Sequence, residues 1–409
     1  MPDNDLDFPL NYPLERSAPL VPPPEWETLR DQYPVARVRL PSGDEAALVT
    51  RYNDVRQMLS DPRFGRLLTA PGAARLADTE SGGLFSDKSS AVIPQTGPGH
   101  QRWRRLLSRW FTARRMAALR PGIEAMAHRL IDEMTAAGPP ADLKAGLAFP
   151  LPVWVICDIL GVPDSDRDKF AHWSDTMLSL TRYTQAEMDT ARAEFTAYMA
   201  RHIQARRADP KDDLLSELIT ASNADGEGLS EPELVATGRG LLLAGHETTA
   251  NMIGKMVAML LSDRGRWERL LADRSLVRTA TEEALRFDSD LGFGMVRYID
   301  ADIEVGGTPV SSGTTLVCDM AAANRDETAF EDAGHMDLTR SPNPHLSFGT
   351  GPHSCLGQAL ARTELQAVLG VLLERLPSLD LAVPAAELRR IEGLAVTGLR
   401  ELPVTWKES

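Results

Sequence analysis

A lone cysteine stands among glycines in the segment Phe348-Gly-Thr-Gly-Pro-His-Ser-Cys355-Leu-Gly357, directly before an apolar helical run. Glycine adopts positive φ angles at little cost and lets a flat ligand approach the backbone. Free N–H groups and the dipole at the start of the following helix favour negative sulfur at Cys355. The pattern therefore predicts a thiolate ligand. The alternative is a buried structural cysteine beside a glycine turn.

Two other cofactor motifs do not fit this segment. A dinucleotide fingerprint starting at Gly349 needs glycine where the chain has Ser354, and a zinc site lacks a second Cys-x-x-Cys arm. The segment resembles the haem-binding loop of the cytochrome P-450 superfamily, Phe-Gly-x-Gly-x-His/Arg-x-Cys-x-Gly, at every fixed position. The resemblance implies haem b (iron protoporphyrin IX) as cofactor, Cys355 as the iron ligand, and Gly351 and Gly357 against the haem. It also implies a single-domain, mainly α fold with small β-sheets.

Composition and charge restrict the class of protein. The 409 residues carry a formal net charge of −14, which argues against nucleic acid and anionic membranes as partners. The three cysteines lie far apart and give no disulfide framework, so we expect a protein of the reducing cytoplasm. The N-terminus has neither a basic start nor an apolar run, which predicts no signal peptide or membrane anchor. A monomer is expected.

Helical spacing dominates the pattern along the chain. Residues 1–25 are proline-rich and predict an extended arm, followed by one domain over residues 26–409. A β-hairpin is predicted at 36–40 and 46–50, with further strands at 302–305 and 314–317. Helices are predicted near 101–135, 149–161, 185–207, 212–221, 231–262, 265–287 and 357–376.

The helix near 231–262 is apolar on every side and is expected at the centre of the fold. The capping box Ser230-Glu-Pro-Glu233 opens it, and Ala244-Gly-His-Glu-Thr-Thr249 places an acid and two hydroxyls in its middle. Such groups can simply bond back to helix carbonyls. The resemblance identifies the segment as the oxygen-activation motif, whose glycine makes room for dioxygen and whose Glu247 and Thr248 deliver protons.

Glu283 and Arg286 lie three residues apart on one helix face, and pairs with this spacing are usually exposed ion pairs without a functional role. The resemblance assigns them a structural role. Together with Arg340 they would form a buried network that fixes the cysteine loop.

A basic cluster begins at His100, and its surroundings would also suit an amphipathic surface helix. Haem propionates need cationic donors, and arginine pairs well with carboxylates. By resemblance, the propionate-binding positions are His100, Arg104, Arg297 and His353. The preceding Thr96–Gly99 departs from the acid and two prolines usual in relatives. The remaining arginines are expected to face outward and suit an acidic electron donor: Arg102, Arg105, Arg109 and Arg362.

The resemblance extends from about residue 35 to the C-terminus and implies a haem-thiolate monooxygenase that inserts one oxygen atom into an apolar small molecule. Electrons would come from NAD(P)H through a ferredoxin reductase and a ferredoxin. The sequence, which is rich in Ala, Arg and Leu, resembles actinobacterial enzymes of antibiotic biosynthesis. Hydroxylation or epoxidation of a macrolide or other polyketide is therefore expected. The alternatives are a peroxide-driven haem enzyme, an oxidase of a carrier-bound peptide or terpenoid, and a non-catalytic haem-binding module.

The substrate pocket implied by the resemblance is lined by small and apolar side chains. They are Leu241, Leu242, Ala244, Leu291, Phe293, Met295, Ala395 and Val396. Such a lining suits a bulky apolar metabolite, and it specifies neither the substrate nor the position of oxidation.

Overall fold

Helices make up most of the chain in the computed structural model, which describes residues 6–66, 68, 70–76, 92–178, 183–224, 228–288, 292–391 and 396–407. In chain order they are α1 (Glu25–Gln32), α2 (Tyr52–Ser60), α3 (Gly97–Ser108), α4 (Ala113–Ala118), α5 (Arg120–Ala136), α6 (Pro150–Ile159), α7 (Arg167–Leu178), α8 (Gln185–Ala208), α9 (Leu214–Ala224), α10 (Glu231–Leu261), α11 (Arg264–Ala272), α12 (Val277–Phe287), α13 (Met320–Ala323) and α14 (Gln358–Arg375). The strands are β1 (Leu10–Asn11), β2 (Ala36–Arg39), β3 (Glu45–Val49), β4 (Ala141–Asp142), β5 (Met295–Tyr298), β6 (Ile303–Val305), β7 (Thr308–Val310), β8 (Thr315–Cys318), β9 (Asp380–Leu381) and β10 (Pro403–Thr405). The predicted mainly α fold with small β-sheets is confirmed.

The largest sheet has the strand order β1-β2-β3-β8-β5. β2 and β3 form the predicted hairpin, in which Ala36 lies opposite Leu48 and Arg39 opposite Glu45. β8 pairs with β3 in parallel and with β5 in antiparallel orientation. The predicted strands at 302–305 and 314–317 correspond to β6 and β8. β5 was not predicted, because one of its buried residues is the charged Arg297.

The N-terminal segment is bound more closely to the rest of the chain than an extended arm would be. β1 pairs with β2 at the sheet edge, and the Tyr12 side chain is buried. Asp288, directly after α12, pairs with Arg16 (3.4 Å) and Arg390 (3.3 Å) and lies 3.7 Å from Lys255 Nζ. Burial raises the pKa of Asp288, but these cations outweigh it and hold the pKa well below its usual range. One buried carboxylate thus joins the N-terminal segment, α10 and the C-terminal region.

Two predicted helical segments divide into shorter elements. The segment near 101–135 becomes α3, α4 and α5, because Thr112 caps α4 by accepting the Arg115 N–H and Pro121 lies in the first turn of α5. The segment near 265–287 divides at Asp273, whose carboxylate accepts the Ser275 N–H at 2.9 Å. α1, α2 and α7 were not predicted, since they are short or interrupted by polar residues.

α10 crosses the centre of the fold, as predicted. The Ser230 N–H donates to Glu233 Oε2 at 2.7 Å, and the Glu233 N–H donates to Ser230 Oγ at 3.4 Å, which completes the capping box. The helix packs against α6, α8 and α14. Because α14 directly follows the cysteine loop, this packing places Cys355 and the middle of α10 in the walls of one cavity.

Candidate functional site

The cysteine loop has a backbone that two glycines make possible. Gly349 has φ +62° and Gly351 has φ +71°, in the left-handed region that side chains disfavour. A Cβ atom at Gly351 would also lie only 2.5 Å from Ser60 Cα, so glycine lets the loop pack against the end of α2. The Cys355 N–H donates to Phe348 O at 2.7 Å and closes the loop.

The thiol of Cys355 lies in the cavity wall three residues before α14. Burial raises the pKa of Cys355, whereas the Gly357 N–H and the Arg104 guanidinium lower it. The other cysteines, Cys157 and Cys318, are fully buried in α6 and β8, and burial raises the pKa of Cys318 to about 12. Of the three, only Cys355 is presented to a ligand.

The cavity encloses about 390 Å³ between the cysteine loop with α14 on one side and α10 on the other. This volume is within the range of small-molecule sites. Most of the wall is apolar and includes Ile156, Met177, Met188, Leu241, Leu243 and Val396.

Five basic side chains converge beside Cys355. Arg66, His100, Arg104 and His353 line the cavity, and Arg297 is buried behind it. The His100 and His353 rings stack with centroids 4.5 Å apart. Burial and the neighbouring cations lower the pKa of His353 to about 2, that of His100 to about 4 and that of Arg66 to about 10. These lowered pKa values reflect the close approach of several basic groups beside Cys355.

This basic cluster fits a ligand that carries carboxylates. Within this cluster, as far as the structure describes the chain, three buried nitrogens lack a hydrogen-bond acceptor: Arg66 Nε, Arg297 Nε and His353 Nδ1. Buried donors are rarely left unpaired in native proteins. A planar dianion next to the thiol would supply the acceptors, and the two propionates of a haem meet this requirement.

Thr248 and Glu247 lie differently with respect to the cavity. Thr248 lines it, with Oγ1 donating to Ala244 O at 2.9 Å. The buried Glu247 carboxylate is turned away from it, accepts a bond from Asn251 Nδ2 at 3.1 Å and lies 3.7 Å from His246 Nε2. The structure therefore brings the hydroxyl to the cavity and leaves the acid on another face of α10.

The glycine of the same motif also has a packing role. A Cβ atom at Gly245 would lie 3.0 Å from Ile156 Cδ1, tighter than ordinary van der Waals contact. Glycine here lets α10 approach α6 closely.

The predicted pocket residues divide into three groups. Leu241, Ala244, Met295 and Val396 line the cavity. Leu291 and Ala395 lie outside the described residues. The other two, Leu242 and Phe293, are not among the residues that line this cavity, and their role in substrate binding stays a prediction.

Leu242 and Phe293 are turned into the core. Leu242 is fully buried and packs in the hydrophobic core. Phe293 packs edge-to-face on Tyr12 with ring centroids 5.5 Å apart, between the sheet and the N-terminal segment.

The structure brings Glu283, Arg286 and Arg340 together. Glu283 and Arg286 are fully buried and joined by two bonds, of 2.7 and 2.9 Å, and Arg340 Nε lies 3.1 Å from Glu283 Oε2. Arg286 also donates to the carbonyls of Asn324 (2.8 Å) and Ala333 (3.0 Å). The network ties α12 to the chain that leads into the cysteine loop.

Two of the arginines expected to face outward are engaged elsewhere. Arg102 pairs with Glu233 at the start of α10. Arg362 binds Glu282 at 2.8 Å and lies over the Phe348 ring at 4.5 Å. In each case an acid from another helix lies within reach, but the side chains of Arg102 and Arg362 remain 29% and 32% exposed, so their part in binding an electron donor stays a prediction. Arg105 and Arg109 are exposed as predicted.

Sequence reasoning missed Arg66, Trp103 and Glu364 in the cavity wall. Arg66 comes from an irregular segment without periodicity. Trp103 Nε1 donates to Thr237 Oγ1 at 2.9 Å and joins α3 to α10. Glu364 is a buried acid on α14, and burial raises its pKa well above the usual range. Glu364 could have been identified from the sequence, because it is an acid within the apolar helical run after Cys355. The sequence around Arg66 carries no comparable signal.

The Cytochrome P450 family model matches residues 74–380. The mycinamicin IV hydroxylase/epoxidase of Micromonospora griseorubida is 42% identical over 402 residues, covering 97% of this chain and 99% of the relative. The nocardicin C N-oxygenase of Nocardia uniformis subsp. tsuyamanensis is 42% identical over 401 residues, covering 97% and 98%.

A crystal structure of CYP105P1 in complex with filipin I superimposes with a TM-score of 0.90. It is 38% identical and covers 98% of this chain and 99% of its own. Separately, none of the described helices combines the length and apolar character needed to cross a bilayer.

Proposed function

The chain belongs to the cytochrome P450 family and is a monooxygenase; we propose that it oxidises a bulky apolar secondary metabolite of macrolide or other polyketide type. Its activity would be hydroxylation or epoxidation with one oxygen atom from dioxygen. The observation that carries the proposal is Cys355 in the wall of a largely apolar cavity, beside five basic side chains.

The cofactor implied by the family is a haem with a thiolate ligand, and we propose haem b. Cys355 would bind the iron, with the Gly357 N–H directed at its sulfur. Arg66, His100, Arg104, Arg297 and His353 would hold the propionates, as their unpaired nitrogens and crowded charge suggest. When bound, a haem with this ligand supplies the activation of dioxygen.

The residues of α10 would control protons and water. Thr248 Oγ1 is placed to donate a hydrogen bond into the cavity if it exchanges its bond to Ala244 O. Glu247, on another face of the helix, would feed protons toward Thr248 from the His246 and Asn251 side. The apolar wall excludes bulk water, so protons would arrive only along this route.

The family implies separate redox partners and a small-molecule substrate. We propose a ferredoxin, reduced by a ferredoxin reductase with NAD(P)H, as the electron donor in the cytoplasm. The three cysteines lie far apart in the sequence and suit a reducing compartment. The exposed Arg105 lies in the last turn of α3, the helix that carries His100 and Arg104, and the exposed Arg109 directly follows that helix. Together they offer an acidic donor a positive surface.

The relatives support a secondary metabolite and differ in their reactions. One is a hydroxylase/epoxidase of mycinamicin IV and the other an N-oxygenase of nocardicin C. The apolar lining favours the first type of substrate, in which C–H and C=C bonds are oxidised within a large apolar framework.

The test is the spectrum of the reduced carbon monoxide complex of the purified holoprotein. Cys355→Ser should abolish the thiolate-type spectrum, whereas Cys318→Ala, which removes a buried thiol outside the cavity, should leave it unchanged. A normal thiolate spectrum in Cys355→Ser would contradict the assignment. Turnover with hydrogen peroxide alone, at the rate seen with dioxygen and reduced ferredoxin, would favour the peroxide-driven alternative.

A further inference from the structure

The buried acid Glu247 is bound by Asn251 on a face of α10 that does not line the cavity. Asn251 Nδ2 donates to Glu247 Oε1 at 3.1 Å, and both residues are almost fully buried. Asn251 follows Glu247 by four residues, so the two side chains are neighbours on the helix surface. Thr248 lines the cavity on another face of the helix. The hydrogen bond from Asn251 therefore keeps the acid apart from the hydroxyl to which it would supply protons.

The restraint on the Glu247 carboxylate does not come from a cation. Of the described basic side chains, only that of His246 lies within 4 Å of it, at 3.7 Å. Burial lowers the pKa of His246, so its ring is neutral at neutral pH. Among the described residues, the hydrogen bond from Asn251 is thus what holds the acid. Loss of one hydrogen bond to a charged group shifts such an equilibrium by about tenfold or more.

The backbone of Gly398 packs directly on the amide group of Asn251. A Cβ atom at Gly398 would overlap Asn251 Oδ1 and Cγ. The φ angle of Gly398 is outside the left-handed region, so glycine is needed here for this contact and not for the backbone conformation. Asn251 Oδ1 is buried and accepts no hydrogen bond within the described part of the chain. A movement of Gly398 toward α10 must therefore displace the Asn251 side chain.

The segment Val396–Gly398 connects this contact to the cavity. Val396 belongs to the cavity wall, two residues before Gly398. The residue between them is braced, because Arg390 Nη2 donates to Thr397 Oγ1 at 2.6 Å and Arg390 Nη1 donates to Pro19 O at 2.8 Å. Close-packed interiors have low compressibility and transmit strain. Pressure on Val396 can therefore reach Asn251 through Gly398.

We propose that Asn251 is a positioning residue that holds Glu247 away from Thr248 until a bulky substrate presses on Val396 and releases the acid. The inference rests on the proposed proton route from Glu247 to Thr248 and adds its control by the substrate. Without substrate, the acid stays turned away, and the protons that dioxygen reduction requires arrive slowly. The arrangement limits wasteful reduction of dioxygen when there is nothing to oxidise.

The test measures how fast dioxygen reoxidises the reduced holoenzyme without substrate. The protein is reduced with dithionite, freed of excess reductant and mixed with air-saturated buffer, and the return of the oxidised visible spectrum is timed. One electron passes from ferrous haem to dioxygen, one proton joins it, and the hydroperoxyl radical is released. Asn251→Leu keeps a similar side-chain volume but donates no hydrogen bond, so it should be reoxidised about tenfold faster than the wild type.

Gly398→Ala tests the contact without altering Asn251 or Glu247. The added methyl group displaces the Asn251 amide, so this variant should also be reoxidised faster than the wild type. Asn251→Ala removes the group that the methyl would overlap. The double variant Gly398→Ala/Asn251→Ala should therefore be no faster than Asn251→Ala alone, because both changes act through the same contact.

Three further variants separate the proposal from a purely structural role of Asn251. Adding Glu247→Gln to Asn251→Leu should restore slow reoxidation, because the released proton source is then missing. Met259→Ala removes another buried side chain, about two turns further along α10, and should leave the rate unchanged. If Asn251→Leu folds poorly, Asn251→Asp should give the same acceleration, since a carboxylate cannot donate a hydrogen bond to Glu247.

The outcomes distinguish this proposal from the proposed function. A wild-type rate in Asn251→Leu or in Gly398→Ala would overturn the proposal, as would an acceleration that survives Glu247→Gln. In each of these cases, a normal thiolate-type spectrum with carbon monoxide would leave the monooxygenase function standing.

Discussion

Replacement of Glu283 by glutamine should destabilise the protein far more than loss of an ordinary ion pair. The fully buried Glu283 carboxylate accepts two bonds from Arg286, one from Arg340 at 3.1 Å and one from Asn343 Nδ2 at 3.0 Å. It also accepts the Asp337 N–H at 2.9 Å. Glutamine keeps the shape, removes the charge and turns one acceptor into a donor that faces other donors.

The cost follows from the burial of Arg286, which has no exposed surface. A buried pair that loses one partner leaves an uncompensated charge and costs about 3–5 kcal/mol. A typical folding free energy is about 5–15 kcal/mol, so the loss is a large part of the total. The matched control is Glu268→Gln, whose pair with Arg264 spans 2.6 Å but is 57% exposed at the acid and should cost under about 1 kcal/mol.

The assay is urea unfolding of the holoenzyme, followed by the visible spectrum for haem release and by circular dichroism for helix content. Glu283→Gln should release haem at a lower urea concentration than the helices unfold, because the network supports the cysteine loop. Adding Arg286→Met should restore part of the stability, since the fully buried guanidinium is then removed. Equal midpoints for Glu283→Gln and Glu268→Gln would refute the reasoning.

Three other outcomes are expected. Thr248→Ala should keep haem and substrate binding but divert reducing equivalents to hydrogen peroxide, since a hydrogen bond of about 1.5–3 kcal/mol to a charged group is lost; unchanged coupling of NAD(P)H oxidation to product would contradict this. Arg109→Glu should slow reduction by ferredoxin through weaker association, and added salt should mimic it, because screening limits steering to about 10 Å at 0.1 M; rates insensitive to both would place the donor elsewhere. Burial raises the pKa of Glu282, but bonds from His345 and Arg362 outweigh it and lower the pKa to about 2. An acid with a lowered pKa stabilises the fold above its unfolded pKa of about 4.3 and loses that effect as pH falls toward 2. Glu282→Gln should therefore remove about 3 kcal/mol of the free energy of unfolding that is pH-dependent in this window. A pH dependence of the free energy of unfolding that is the same in the variant and the wild type would argue against this.

Local requirements explain what could be predicted from the sequence. The cysteine loop needs glycines at fixed positions, and α10 has both a capping box and a long apolar pattern, so each could be identified without knowing its neighbours. The hairpin of β2 and β3 could also be predicted, since its alternating apolar and polar residues and its turn lie within fifteen residues. The mainly α class followed from the helical spacing.

Tertiary contacts explain what could not be predicted. Arg66 reaches the cavity from a segment without periodicity, and β5 contains a buried arginine that breaks the strand pattern. The directions of the Leu242 and Glu247 side chains could not be read from the sequence, because successive helical residues diverge by about 100° and the packing of α10 sets which of them meets the cavity. Arg102 and Arg362 were expected on the surface, and only the packed structure shows the acids that bind them.

The carboxylate of Asp288 also bears on the order in which the chain folds. Its bond to Arg16 spans 272 residues, and Arg390 donates to the Pro19 carbonyl across 371. At about 5–20 residues per second, a ribosome needs roughly 15–50 s after making Arg16 to make its acidic partner. Long-range closures of this kind slow folding and follow local ones. The pairing of β1 with β2 can therefore form early, whereas the contacts of Arg16 with Asp288 and of Pro19 with Arg390 form late, after the helices around α10 have been made.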